Sequence, residues 1–344
     1  MARKISTALL GCGIAFAAAV ALPASGTAQT AQEQCHAPGG VSLDLRIIAC
    51  SLVIEFNLET SGRLAAAFTN RGTAYYRRKE YDRAIADYDR SVQIDPGDAR
   101  HYYGRGLAYR EKHDYDRALA DFDQAIRLDG KFAAAFRNRG FTHYRKGDPD
   151  RAIADFDRAI EIDPNMAAAF SMRAAAYSAK NDYDRAIADY GEAVRLDPDS
   201  AQSFAGRAAA YEGKHDLDRA IADYDAAIRI RPTAATLFAR GIIYQDKKLF
   251  ARAIADFDEA IRLEPMPARL AIRGYAHLLT RDYDRAIADF DEAIARDRMY
   301  SAARFGRALA KRHKGENLSA LGDVMTGSAT AAVNKVRQWL GFRS

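Results

Sequence analysis

The feature that most restricts this chain is a period. A six-residue motif, RAIADY, begins at Arg83, and close relatives begin at Arg117, Arg151, Arg185, Arg219, Arg252 and Arg285. The intervals are 34 residues four times and then 33 twice, and a worn eighth copy, ALGD, occupies 320–323. Self-similarity at this spacing means one supersecondary unit copied along the chain. The longer form YDRAIADYD (81–89) carries three aspartates, which raises the question of a metal or proton-transfer site. Such a site needs carboxylates that converge without basic partners. In each copy the aspartates alternate with arginine, so a copied structural unit is the preferred reading.

Each unit reads as two amphipathic helices. Phe68, Gly72 and Tyr75 share one face of the first, and Ala84, Ile85, Tyr88 and Val92 one face of the second. Asp114, Asp148, Asp182, Asp216 and Asp282 stand at N-cap positions, with Pro149 at the first helical residue where its missing N–H is harmless. Asp163-Pro164, Asp197-Pro198 and Glu264-Pro265 end second helices. An arginine precedes each motif aspartate by 16 residues, from Arg71 and Asp87 through Arg207 and Asp223 to Arg307 and Asp323. That interval is unchanged where the period shortens, so the hairpin is the rigid element and the linker absorbs the deletions. A fixed spacing across a hairpin predicts an Arg–Asp ion pair joining its helices.

The pattern resembles the tetratricopeptide repeat family. Small residues recur at the eighth position (Gly72, Gly106, Gly140, Ala174, Ala208, Gly241, Gly274, Ala308) and the twentieth (Ala84, Ala118, Ala152, Ala186, Ala220, Ala253, Ala286, Ala320). Aromatics occupy the twenty-fourth from Tyr88 to Phe290, with Val324 departing, and Gly130 and Arg298 replace the usual proline at the thirty-second. The resemblance implies an all-α, right-handed α-solenoid of about eight hairpins over 65–334, with N- and C-terminal capping helices. A lone hairpin should not fold, because only stacked neighbours cover both of its apolar faces.

The ends differ from the body. MARK, a nearly uncharged run and PASGTAQ read as a secretory leader over 1–28, cleaved after Ala28. A lipobox-like Leu9, Leu10, Gly11, Cys12 and a retained anchor are the competing readings. The first places the protein in the periplasm or outside the cell; membrane association would follow only from lipidation at Cys12. Export leaves Cys35 and Cys50, either a disulfide or two buried thiols. Residues 29–64 are expected to form an N-terminal cap in which Leu45, Ile48, Leu52 and Ile54 line a helix stapled by those cysteines. Val333, Val336, Trp339 and Leu340 would close the other end within 329–344.

Composition excludes several functions. The chain carries +5, and losing Arg3 and Lys4 with a leader leaves +3, too balanced for a nucleic-acid partner. The excess is concentrated after Arg296. Two cysteines cannot build a Cys-ligated zinc site. There is no HExxH, GxSxG, Walker loop or dinucleotide turn, so neither catalytic residues nor a cofactor is expected. His113 and His215 read as solvated turn residues.

Function then rests on a surface. In the resembled family the concave groove is lined by first-helix positions. Carried across, these are Asn70, Thr73, Tyr76, Arg77, Tyr103, Leu107, Arg110, Arg137, Asn138, Phe141, Tyr144 and Arg145, an aromatic and basic stretch. Later units supply a small, apolar one with Ala271, Ile272, Tyr275 and Leu278. The expectation is a non-enzymatic scaffold of the bacterial envelope that grips a protein or peptide segment, with self-association left open. The family's carboxylate clamp is not expected, since only Asn138 matches it and Gly104 stands at the equivalent site one unit earlier. The alternative is an envelope-assembly factor docking on anionic polymer or headgroups through Lys311, Arg312 and Lys314.

Overall fold

The structure, a computed structural model, describes residues 24–315, among which every regular element is an α-helix. Residues 1–23 of the expected leader, the worn motif at 320–323 and the expected cap at 329–344 lie outside these residues. The chain divides into two compact units between Thr142 and His143. The first contains α1 (Ala24–His36), α2 (Leu43–Glu55), α3 (Ser61–Arg77), α4 (Tyr81–Ile94), α5 (Ala99–Glu111), α6 (Tyr115–Leu128) and most of α7 (Ala133–Arg145). The second begins at the end of α7. It continues through α8 (Pro149–Ile162), α9 (Ala167–Ala179), α10 (Tyr183–Leu196), α11 (Ala201–Gly213) and α12 (Leu217–Ile230). It ends with α13 (Ala234–Asp246), α14 (Phe250–Leu263), α15 (Pro267–Leu279), α16 (Tyr283–Arg296) and α17 (Ser301–Lys314). From α1 to α6 and from α8 to α17 each helix packs on the next in sequence, and first helices also touch across one hairpin, as α3 on α5 and α15 on α17.

Local chemistry sets the helix boundaries. Asp114, Asp148, Asp182, Asp216 and Asp282 each accept a hydrogen bond from the backbone N–H three residues on, which occupies an otherwise orphan donor. Pro149 takes the first helical position. The tight turn within a hairpin passes through one left-handed residue: Lys79, His113, Gly147, Asn181, His215, Lys248 or Arg281. Only Gly147 is the residue for which that conformation carries no steric cost. His113 and His215 are exposed turn residues.

Packing explains the small positions. Ala84, Ala118, Ala152, Ala186, Ala220, Ala253 and Ala286 are all 0% exposed. They let the helices approach closely enough for Phe122, Phe156, Phe257 and Phe290 to be wholly buried. A Cβ on Gly106 would stand 2.9 Å from the Phe122 ring, and one on Gly241 2.6 Å from Phe257.

At the N-terminus α1 and α2 are joined by Cys35 and Cys50, whose sulfurs are 2.13 Å apart. The expected cleavage point after Ala28 falls inside α1. The buried face of α2 differs from the one predicted. Ala49, Cys50 and Val53 are enclosed, whereas Leu45, Ile48 and Leu52 are 39%, 57% and 39% exposed. The disulfide turns Cys50 inward, and on a helix this carries the Leu45–Ile48–Leu52 stripe outward.

The arginine ladder is present and is more extensive than the 16-residue spacing foretold. Arg71, Arg105, Arg173, Arg207, Arg240 and Arg273 each donate two bonds to the aspartate 16 residues on, for example Arg105 Nε and Nη2 to Asp121 at 2.9 and 2.7 Å. Asp323, expected to pair with Arg307, lies outside the described residues. The remaining Nη1 reaches back to the second helix of the preceding hairpin: Arg105 to Asp89, Arg139 to Asp123, Arg173 to Asp157, Arg240 to Asp225, Arg273 to Asp258 and Arg307 to Asp291. Arg207 lacks this contact because Gly191 stands where the aspartate would be.

The first aspartate of the motif has a partner as well. Lys112 pairs with Asp82, Lys180 with Asp150, Lys214 with Asp184, Lys247 with Asp218 and Lys314 with Asp284. Where the motif has Ala251 instead, Thr280 stands in place of the lysine, so the charged donor and acceptor are missing together. The outer aspartates lie on the wet face as expected, Asp82 84% exposed, and are paired there as well. Asp82, Asp87 and Asp89 are bonded to Lys112, Arg71 and Arg105, and the pairs across the linker persist where the period is 33. No carboxylate of YDRAIADYD is left to meet an ion.

Removing Arg173 strands Asp189, which is 7% exposed, so Arg173→Ala should cost about 3–5 kcal/mol. Arg285→Ala, which breaks an exposed pair with Asp282, should cost about 0.2–1 kcal/mol. Equal losses in chemical denaturation would refute the ladder's role. Gly191→Asp should instead stabilise by about 0.5–1.5 kcal/mol, since a new Cβ meets only Arg207 Nη1 at 3.8 Å and a helix glycine is replaced. Reducing Cys35–Cys50, which closes a 15-residue separation, should remove about 3 kcal/mol in the same measurement.

Candidate partner-binding recess

In the first unit the inner faces of α3 and α5 enclose a recess of about 390 Å3. Thr73, Tyr76 and Arg77 come from α3, and Tyr103, Gly104 and Leu107 from α5. Gly104 is small for a steric reason: a Cβ there would stand 2.5 Å from the Tyr88 ring. That ring reaches through from α4 and places its hydroxyl 3.1 Å from Thr73 Oγ1. Burial pushes the Tyr88 hydroxyl up to about 12, so it stays protonated. Thr69, Tyr88, Arg100 and His101 also line the recess and were missed from sequence. Of these His101 carried a signal, because the other units have small residues or a single arginine there.

Several predicted contact residues are occupied by the fold. Asn138 is 4% exposed, donating to Tyr103 Oη at 2.9 Å and Ala134 O at 2.8 Å while accepting from Arg110 Nη1 at 2.5 Å. Arg110 also pairs with Glu111 and lies 5.4 Å from the Phe141 ring centre, so it holds α5 and α7 together instead of presenting a loose cation. Asn70 gives an N–H to Cys35 O at 3.1 Å, tying the recess to the cap. Arg137 is half-buried and Arg77 exposed. Tyr144 and Arg145 lie in the second unit, half-buried and exposed respectively.

The apolar later stretch is partly core. Ala271, Tyr275 and Leu278 are 1%, 1% and 6% exposed, and Tyr275 donates to Ala302 O while packing edge-on against Phe290. The family resemblance assigned them to a groove, but α17 packs on α15 and takes up Tyr275.

Family signatures described as tetratricopeptide repeat match 103–167, 238–297, 273–332 and, in a second form, 65–98, and one described as TPR repeat matches 174–215. The chain belongs to the tetratricopeptide repeat family. Among solved structures, a tetratricopeptide repeat protein from Parabacteroides merdae is 20% identical with a TM-score of 0.55, covering 70% of this chain and 94% of that one. Pseudomonas aeruginosa pilF is 16% identical with a TM-score of 0.55, covering 60% and 95%. The Cut9–Hcn1 hetero-tetramer of APC/C gives 15% and 0.57, covering 82% and 54%. At these identities the likeness is one of fold. No curated protein matches the chain. This tetratricopeptide repeat protein is therefore a protein-interaction scaffold by family, built on a fold that is generally not catalytic. Among the described residues no helix is long and apolar enough to cross a membrane.

If Asn138 is a structural amide, Asn138→Ala should lower stability by about 1–3 kcal/mol, because it leaves Tyr103 and Arg110 short of partners. Arg77→Ala should change the denaturation midpoint little, and the opposite ranking would reassign both residues.

Proposed function

We propose that this tetratricopeptide repeat protein is a non-enzymatic scaffold of the bacterial envelope that binds an acidic, aromatic-accepting segment of a partner protein in the α3–α5 recess. The observation that carries this reading is the recess itself. Tyr76, Tyr103 and Leu107 form apolar walls, hydroxyls of Thr73 and Tyr88 lie at the base, and Arg77 and Arg100 supply positive charge. Such a site suits a chain that lays one apolar side chain inward and keeps carboxylates near the arginines. The bonded Cys35–Cys50 pair fits an oxidising compartment, which agrees with the leader read at 1–28.

Docking on anionic polymer through Lys311, Arg312 and Lys314 is the weaker reading. Lys314 pairs with Asp284, repeating the Lys112–Asp82 contact of the first unit, so part of the basic tail is repeat architecture.

A photoreactive residue at Tyr76 should crosslink, in intact envelopes, to a peptide mapping to an acidic segment. Capture should fall at least about tenfold in Arg77→Glu with an unchanged denaturation midpoint. Glycan at the crosslink, or equal capture from a probe at the turn residue His215, would reject recognition in the recess.

A further inference from the structure

The linker between α4 and α5 departs twice from the copied pattern. Asp98, the N-cap of α5, stands where later units have Phe132, Met166, Ser200, Thr233, Met266 and Tyr300. Three residues on, His101 stands where they have Ala135, Ala169, Ser203, Thr236, Arg269 and Ala303. The hairpin therefore does not need either residue. With Asp95, the C-cap of α4, each places one ligand atom within 4.8 Å of the others.

An acidic linker alone would mean little; the buried imidazole changes its chemistry. His101 is 2% exposed, with Nδ1 2.7 Å from Thr69 Oγ1. Its Nε2 is enclosed, has no hydrogen-bond partner, and faces Asp98 Oδ2 at 3.8 Å. When Nδ1–H donates to the threonine, Nε2 turns its lone pair towards a carboxylate. In that tautomer two electron-rich atoms face each other, an arrangement that favours a cation between them. The 3.8 Å gap is shorter than two metal–ligand bonds of about 2.0–2.2 Å, so an ion can bridge both atoms.

We propose that Asp95, Asp98 and His101 bind a divalent first-row transition metal of the zinc class, with solvent completing the coordination. Imidazole nitrogen with carboxylate oxygen suits such an ion better than the all-oxygen shells of calcium or magnesium. The Thr69 hydroxyl holds the orientation of the ring through Nδ1, as outer partners of metal-bound histidines do. Both carboxylates have other contacts. Asp98 accepts the Arg100 backbone N–H at 2.8 Å and its guanidinium on both oxygens, and Asp95 Oδ1 accepts Gly97 N–H at 3.1 Å. The Arg100 side chain is 75% exposed and can swing aside. A hollow of about 660 Å3 bordered by Asp95, Asp98 and Phe132 opens the two carboxylates to solvent, and His101 lines the recess on the other side. The ion would tie the end of α4 to the start of α5 and, through Thr69, to α3. Because His101 and Arg100 line the recess, metal loading would set the shape and charge of its wall.

The test uses the full chain with its disulfide intact, stripped by chelator and titrated with Zn2+ alone by equilibrium dialysis and thermal denaturation. One equivalent should bind at micromolar concentration or below, and saturation should raise the denaturation midpoint. His101→Ala and Asp98→Asn should each weaken uptake at least about tenfold. Both variants should fold, since alanine fills the counterpart position in other units and asparagine is also a good N-cap. Uptake only at millimolar Zn2+, or uptake unchanged in His101→Ala, would overturn the proposal. So would an equivalent lost instead in His36→Ala, a half-buried imidazole beside Glu59, or in His277→Ala, a buried one beside Asp289.

Discussion

A half-buried guanidinium set between three helices, gripping a buried carboxylate, is the interaction on which this structure depends. Arg105 lies on α5, grips Asp121 of its own hairpin with two parallel bonds, and reaches Asp89 on the preceding one. The first contact closes the hairpin and the second stacks it on its neighbour. Few side chains other than arginine could do both, because a planar fork with five donors can serve two carboxylates in fixed directions while staying charged. Its carboxylate partners hold the Arg105 pKa above the ordinary guanidinium value, so no accessible pH discharges it. A charge enclosed this far is costly unless satisfied, and for that reason the aspartates recur with it.

This coupling accounts for the uniformity of the array and for its departures. A hairpin that keeps its arginine keeps its carboxylate 16 residues away, whereas linkers shorten without loss because the cross-linker pairs bend at side chains. Arg240 reaches Asp225 over 15 residues as readily as Arg105 reaches Asp89 over 16. Where one member of an outer pair is absent, as at Ala251, its partner is Thr280. Such complementary absences mark residues whose purpose is mutual. His101 follows another logic: Asp98 caps α5 as Ser200 and Thr233 cap α11 and α13, but the imidazole has no counterpart in later units and lines the recess.

The helical hairpins, their caps and the Arg71–Asp87 type of pair were legible because each depends on residues close in sequence or at a constant interval. The inner face was legible as a face, since α3 and α5 do present Thr73, Tyr76, Arg77, Tyr103 and Leu107 to the recess. Availability was not. Periodicity puts Asn138 and Tyr275 on the same side of their helices as Tyr76, yet Asn138 is bonded on both ends of its amide and Tyr275 lies under α17. The cap misled for a related reason. An Ala- and Cys-containing stripe competes poorly with Leu45, Ile48 and Leu52 in a hydrophobicity pattern, but a covalent link outranks hydrophobicity in choosing which face turns inward.

The sequence by itself determined the all-α repeat, its 34-residue unit, the starts of five second helices, the ends of three and the charge partner within each hairpin. All of these follow from local propensity and fixed spacing. Only the tertiary structure decided which second carboxylate each arginine reaches, which inner-face residues stay accessible, and that His101 nitrogen and Asp98 oxygen confront each other across 3.8 Å. Those outcomes depend on how neighbouring helices are inclined and how deeply side chains sink between them, and no linear pattern records that.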